Sequence, residues 1–130
     1  MVVVDTSVWI DYLRNSADEG NGRLEDLILD RNRAAVCGII IQEILQGIRD
    51  QESYELTRER LFFLPFLESC RDVHLLAASL YRDLRKQGIT VPSTDAVIAA
   101  VAIHHDFSLF TLDGHFVEIA RHSNLKLYGD

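Results

Sequence analysis

Val2-Val3-Val4-Asp5-Thr6-Ser7 begins as a wholly β-branched run, stops at an acid, and passes at once into helix-capping residues. Three β-branched residues in succession suit a strand buried on both faces. Asp5-Thr6-Ser7 supplies N-cap chemistry, and Val8, Trp9, Tyr12 and Leu13 recur at helical spacing through Arg14. A strand that runs straight into a helix is the first half of a β-α-β unit.

The same alternation continues outward. Asn15 to Gly22 is polar and reads as a loop, and Leu24, Leu27 and Ile28 mark one face of a second helix. Ala34 to Cys37 reads as a second strand that Gly38 ends. Ile40, Ile41, Ile44, Leu45 and Ile48 then define a helix with Glu43 embedded in its apolar sequence. Ser53 onward is read as helical until Pro65. The phenylalanines at 62, 63 and 66 are expected to pack inside, a partner surface being the other reading. Arg71 to His74 is expected to be a short third strand. Leu76, Leu80 and Leu84 form a helical stripe that Gly88 closes. Asp95 to His105 is apolar round its circumference, which requires a helix buried between layers. Ser108 to Thr111 reads as a strand, Asp113-Gly114 as a turn, Phe116 to Arg121 as a helix and Leu125 to Leu127 as a last strand. Strands alternating with helices imply an α/β fold, a three-layer α/β/α sandwich with a central parallel sheet.

With 130 residues, 48% hydrophobic and 25% charged, the chain is expected to form one domain over 1–130 and is neither low-complexity nor disordered. The longest uncharged apolar run, Ala96 to Ile103, falls far short of the roughly 20 residues that span a bilayer. No secretory leader is read at the start, so the expected address is cytoplasmic, without a membrane partner. Cys37 and Cys70 lack metal-ligand spacing and are expected to be reduced thiols. The formal charge of −7 opposes broad electrostatic attraction to nucleic acid, unless several of the acids hold cations.

Open parallel sheets bind ligands beyond the carboxyl ends of their strands, where strand order reverses. Asp5 follows the first strand, and Asp113 lies just past Thr111 at the end of a later one. Glu43 has Ile40, Ile44 and Gly47 as neighbours on its helix, so its carboxylate needs a partner. Asp95 opens the most apolar helix. Each acid also admits a plainer role: Asp5, Asp95 and Asp113 stand where helix caps stand, and Glu43 can pair with Arg33 or Arg49. Gathered at one edge, however, four carboxylates repel, and shared protons or bound cations relieve them. All-oxygen ligands suit Mg²⁺ (or Mn²⁺). A zinc site built from His104, His105 or His115 is disfavoured, because no His-x₃-His spacing occurs and His104-His105 reads as a helix C-terminus.

Val-Val-Asp-Thr-Ser at 3–7, Glu43 in a mid-chain helix, Ser93-Thr94-Asp95-Ala96-Val97-Ile98-Ala99-Ala100, and Thr111-Leu112-Asp113-Gly114-His115-Phe116 occur in that order. Together they resemble the PIN-domain ribonucleases, in particular the VapC-type toxins of toxin–antitoxin pairs, over essentially the whole chain. The resemblance places the family's acidic quartet on Asp5, Glu43, Asp95 and Asp113, and its hydroxyls on Thr6 or Ser7 and on Thr111. It implies a Mg²⁺- or Mn²⁺-dependent endoribonuclease toxin, neutralised by a cognate VapB-type antitoxin and forming a homodimer. A PIN-fold RNA-processing factor and a non-catalytic interaction module are the alternatives.

On this reading Asp5, Asp95 and Asp113 are the principal metal ligands, with Glu43 a ligand directly or through water. Thr111 and Thr6 or Ser7 orient them. A metal-activated water then attacks the RNA phosphodiester bond, and no protein nucleophile is required. Arg14, Arg23, Arg31, Arg33 and Arg49 lie near Asp5 and Glu43 in sequence and are candidates for phosphate contact, solvated helix faces being the other reading.

Overall fold

The computed structural model describes residues 1–14, 24–28 and 32–129. Four parallel strands, β1 (Val2–Val4), β2 (Ala34–Cys37), β3 (Phe66–Leu67) and β4 (Ser108–Phe110), lie in the order β3-β2-β1-β4. Val3 pairs with Ala35 on one side and Leu109 on the other, and Val36 pairs with Phe66. Helices α1 (Thr6–Arg14), α2 (Gly38–Gln46), α3 (Gln51–Phe62), α4 (Arg71–Lys86), α5 (Ser93–His104) and α6 (His115–Arg121) flank the sheet, with a further helical stretch over 24–28. The expected loop at Asn15 to Gly22, together with Arg23 and Arg31, falls outside the described residues.

β1 is the strand about which the sheet turns. The chain moves from β1 outward to β2 and β3, then returns to place β4 against the other side of β1. Val2, Val3 and Val4 are all buried. Removing each from water is worth about 1.5–3 kcal/mol, which fits a strand with a neighbour on either hand and helices around it. Strand order reverses between β1 and β4, so the crevice expected of such a sheet opens beyond Val4 and Phe110.

α5 packs against α2, α4, α6 and β4. Its residues Ala96, Ile98, Ala99, Ala100, Val101 and Ala102 are buried, which accounts for a sequence apolar all round. Its end is a tight reversal: Phe107 N–H donates to Ala102 O at 2.9 Å, and Asp106 takes a φ of +58° where glycine is customary. α4 ends in the same way but with glycine: Gly88 has φ +78°, and Ile89 N–H donates to Leu84 O at 2.9 Å.

Three sequence expectations are corrected. Arg71 to His74 is the first turn of α4, because Val73, Ala77, Leu80 and Leu84 are one buried stripe that begins a turn earlier than the leucines alone suggest. The third strand is instead Phe66–Leu67, placed after Pro65, whose carbonyl accepts from Val36 N–H at 2.9 Å. As an edge strand it tolerates the preceding proline. The phenylalanines do not fill the core: Phe62 is 81% exposed and Phe63 72%. α3 buries only Leu61 and leaves Leu56 exposed as well. Leu125 to Leu127 contributes a single parallel bridge, Leu127 to Leu109, rather than a full strand.

Leu84→Ala, which opens a cavity under α4, is expected to cost about 2–5 kcal/mol in urea unfolding. Leu56→Ala on the exposed face of α3 should shift stability by no more than about 0.5 kcal/mol.

Candidate active site

Because every strand runs the same way, the residues that leave β1, β2 and β4 emerge on one edge. Asp5 follows β1 directly, and its N–H donates to Phe110 O at 2.9 Å, stitching the ends of β1 and β4 together. Asp5 is buried, only 4% exposed. Its Oδ2 accepts from Ser7 Oγ at 2.7 Å and from Thr111 Oγ1 at 2.9 Å. Each hydroxyl is used twice. Ser7 Oγ accepts from Leu112 N–H at 3.0 Å, and Thr111 Oγ1 accepts from Asp113 N–H at 3.0 Å. The pair therefore binds the first carboxylate of the edge to the loop that carries the last.

Thr6 serves a different acid. Its Oγ1 donates to Glu43 Oε1 at 2.9 Å, joining the first turn of α1 to the middle of α2. The choice between Thr6 and Ser7 that the sequence left open is thus resolved by division: Ser7 holds Asp5 and Thr6 holds Glu43. No ion pair links Glu43 to Arg49 among the described residues. The thiol of Cys37, at the end of β2, is pushed up chiefly by burial and also by the charges of Glu43 and Asp5.

Asp95 comes from the opposite direction, in the first turn of α5. It caps nothing: Pro92 is the N-cap residue and makes no side-chain cap bond. Its carboxyl is pushed up to about 6, first by burial, then by the charge of Asp113, with Asp5 adding to the effect and His115 opposing it. Asp113 does serve the next helix, its Oδ1 accepting from His115 N–H at 2.9 Å. His115 Nδ1 stands 3.4 Å from Asp95 Oδ2 and 3.4 Å from Asp113 Oδ1. Asp95, Asp113 and His115 offer ligand atoms that all lie within 4.8 Å of one another.

The structure thus gathers Asp95, Asp113 and His115 tightly and links Asp5 and Thr111 to them through hydrogen bonds, while Glu43 is tied to Thr6, the residue after Asp5. His115 was not among the expected site residues. Its place two positions after Asp113, at the same strand edge, is the signal that marks it. Of the arginines, Arg14 lies with Glu43 along a shallow cleft of about 200 Å³ that Ile10 and Gly47 also line.

A carboxyl with a folded-state pKa of about 6 holds its proton more tightly in the native protein than in the unfolded chain, where the value is about 3.9. Between those values the native state carries more protons, so metal-free stability falls as pH rises from about 4 to about 6 and then levels off. Asp95→Asn should abolish that decline and stabilise the metal-free protein at neutral pH by about 1–3 kcal/mol. Thermal unfolding in chelator across this range checks it; an unchanged slope in the variant contradicts the assignment.

Residues 2–122 match the PIN domain family model. Ribonuclease VapC11 of Mycobacterium tuberculosis is 33% identical over 129 residues, covering 97% of this chain and 96% of that protein. Ribonuclease VapC1 of Methanocaldococcus jannaschii is 27% identical, covering 98% of this chain and 86% of that protein. Among solved structures, DNA-bound VapBC from Salmonella typhimurium superposes with a TM-score of 0.80 at 18% identity, covering 97% of this chain and 95% of that one. VapBC2 from Rickettsia felis, bound to a DNA fragment of its promoter, gives 0.78 at 20% identity, covering 98% and 97%. With the family model matching residues 2–122 and a relative 33% identical over nearly the whole chain, this chain is a member of the PIN domain family, related along nearly its whole length to the VapC ribonucleases.

Proposed function

We propose that this chain is a metal-dependent endoribonuclease that hydrolyses RNA phosphodiester bonds and is held inactive by a cognate antitoxin. The observation that carries the reading is the pair of buried carboxylates, Asp5 and Asp95, set against Asp113 with His115 as the basic group in ion-pair range among the described residues. Asp95, pushed up to about 6 first by burial and then by the charge of Asp113, is costly to keep ionised there unless a cation relieves it. The name ribonuclease, carried by relatives aligned over nearly the full length, agrees.

The donor set fits a hard divalent ion. Asp5, Asp95 and Asp113 would hold it, with Glu43 a ligand directly or through water, and carboxylate oxygens are what Mg²⁺ and Mn²⁺ accept. When bound, the metal supplies a nucleophilic hydroxide at neutral pH and offsets charge on the phosphate oxygens. The chain's own residues prepare the ground. Ser7 and Thr111 fix one oxygen of Asp5 by donating to it, and Thr6 fixes Glu43. Arg14, exposed beside Glu43, is placed to meet an RNA phosphate at the rim. Partnership with an antitoxin draws support from the exposed Phe62 and Phe63. Phe63 also borders an apolar cleft of about 470 Å³ lined by Trp9, Tyr12, Leu61 and Leu64.

Attack by water leaves a 5′-phosphate and a 3′-hydroxyl. The purified protein with Mg²⁺ or Mn²⁺ is expected to give those ends on RNA and to lose activity in chelator. Asp5→Asn should lower cleavage by about a hundredfold or more, and Ser7→Ala, which keeps the carboxylate but loosens it, by about 10–100-fold. A 2′,3′-cyclic phosphate product would overturn the mechanism, and wild type that binds no metal would leave the interaction-module reading. Phe63→Asp is expected to release a co-expressed antitoxin in pull-down while sparing RNA cleavage; retained binding would place the antitoxin elsewhere.

A further inference from the structure

We propose that the imidazole of His115 is itself a ligand of the metal ion, entering beside Asp95 and Asp113, and that it tilts the site toward Mn²⁺ over Mg²⁺. The assignment rests on the metal-dependent reading above. It goes beyond the acidic quartet, in which no nitrogen donor figures.

Spacing is the first argument. Adjacent ligands each about 2.1 Å from an octahedral ion stand about 3 Å apart. His115 Nδ1 is 3.4 Å from an oxygen of each neighbouring aspartate. The three ligand atoms lie within 4.8 Å of one another, and closing the histidine's two gaps by a few tenths of an ångström would bring it to the spacing of a shared ion.

The second argument is that the backbone fixes the histidine to this position. Its own N–H donates to Asp113 Oδ1 at 2.9 Å, while Asp113 N–H donates to Thr111 Oγ1 at 3.0 Å. The ring therefore starts from a main chain already tied to the acids. In the metal-free protein Nδ1 faces two carboxylate acceptors and is the nitrogen that donates to them; an ion entering there would take the place of that proton and leave Nε2 as the N–H, the tautomer a neutral imidazole ligand needs. The side chain is 59% exposed, so that N–H does not have to be desolvated.

Selectivity follows from donor chemistry. Mg²⁺ takes oxygen ligands almost exclusively, whereas first-row divalent ions accept imidazole nitrogen readily. One nitrogen in a set of carboxylates weakens the claim of Mg²⁺ and leaves Mn²⁺ well served. The competing role is that of a counter-ion, an imidazolium resting between two aspartates in the metal-free protein. The two roles part once the ion arrives: a ligand bonds to it, and a counter-ion is displaced.

Pulsed electron paramagnetic resonance of the Mn²⁺-loaded protein distinguishes them, because a directly bound imidazole imprints ¹⁴N modulation on the echo. The wild type is expected to show that modulation and His115→Gln to lack it. Calorimetry should show Mn²⁺ affinity falling about tenfold or more in the variant, with a smaller loss for Mg²⁺. Mn²⁺ that binds the wild type without nitrogen modulation, or a variant that loses both metals equally, overturns the histidine assignment alone. Wild type that binds no Mn²⁺ overturns the metal reading beneath it as well.

Discussion

A single carboxylate oxygen, Oδ2 of Asp5, is the point at which the fold and the site are joined. It receives two hydroxyl hydrogen bonds, from residues more than a hundred positions apart in the chain, and each hydroxyl in turn accepts a backbone N–H of the loop after β4. That arrangement is possible only because β4 lies directly beside β1, which the return of the chain across the sheet secures. Were β4 at the far edge, Asp5 would face solvent and the loop bearing Asp113 would have nothing to fix it.

The opposing demand comes from α5. A helix buried on all sides is a rigid support, and it delivers Asp95 into a region where water is scarce and Asp113 and Asp5 are close. The native state thus carries an electrostatic burden that its packing must outweigh. Such tension between stability and chemistry is common where charged groups are gathered for work. Small side chains make the support possible: alanines at 96, 99, 100 and 102 let α2, α4 and α6 approach the same helix.

Much of this was legible in the residues themselves. Asp5, Glu43, Asp95 and Asp113 stand out because an acid after a buried strand or inside an apolar helix is physically conspicuous. The structure brings all four toward one edge. The division of labour between Thr6 and Ser7 was not legible, since successive residues of a first helical turn differ only in direction, and direction depends on where α2 and β4 lie. His115 was weighed only as part of a zinc site and set aside for want of His-x₃-His spacing, a pattern that a single histidine beside two aspartates does not produce. The phenylalanines of 62–66 misled for a related reason. Aromatic runs at helical spacing usually pack inside, but α3 stands at the margin of the fold, and Phe62, Phe63 and Phe66 are all exposed. Arg71 to His74 imitated a strand because one buried valine among polar residues satisfies either periodicity, and only the full stripe of α4 decides.

The two cysteines are placed in contrasting surroundings. Cys37 is buried, and burial together with the charges of Glu43 and Asp5 holds its thiol protonated, whereas Cys70 stands exposed ahead of α4, within 3.6 Å of His104. Nucleophilic sulfur requires both access and ionisation. A maleimide or iodoacetamide reagent therefore meets one reactive sulfhydryl rather than two, so the unaltered chain accepts a fluorophore at Cys70 while the thiol beside the acids stays intact.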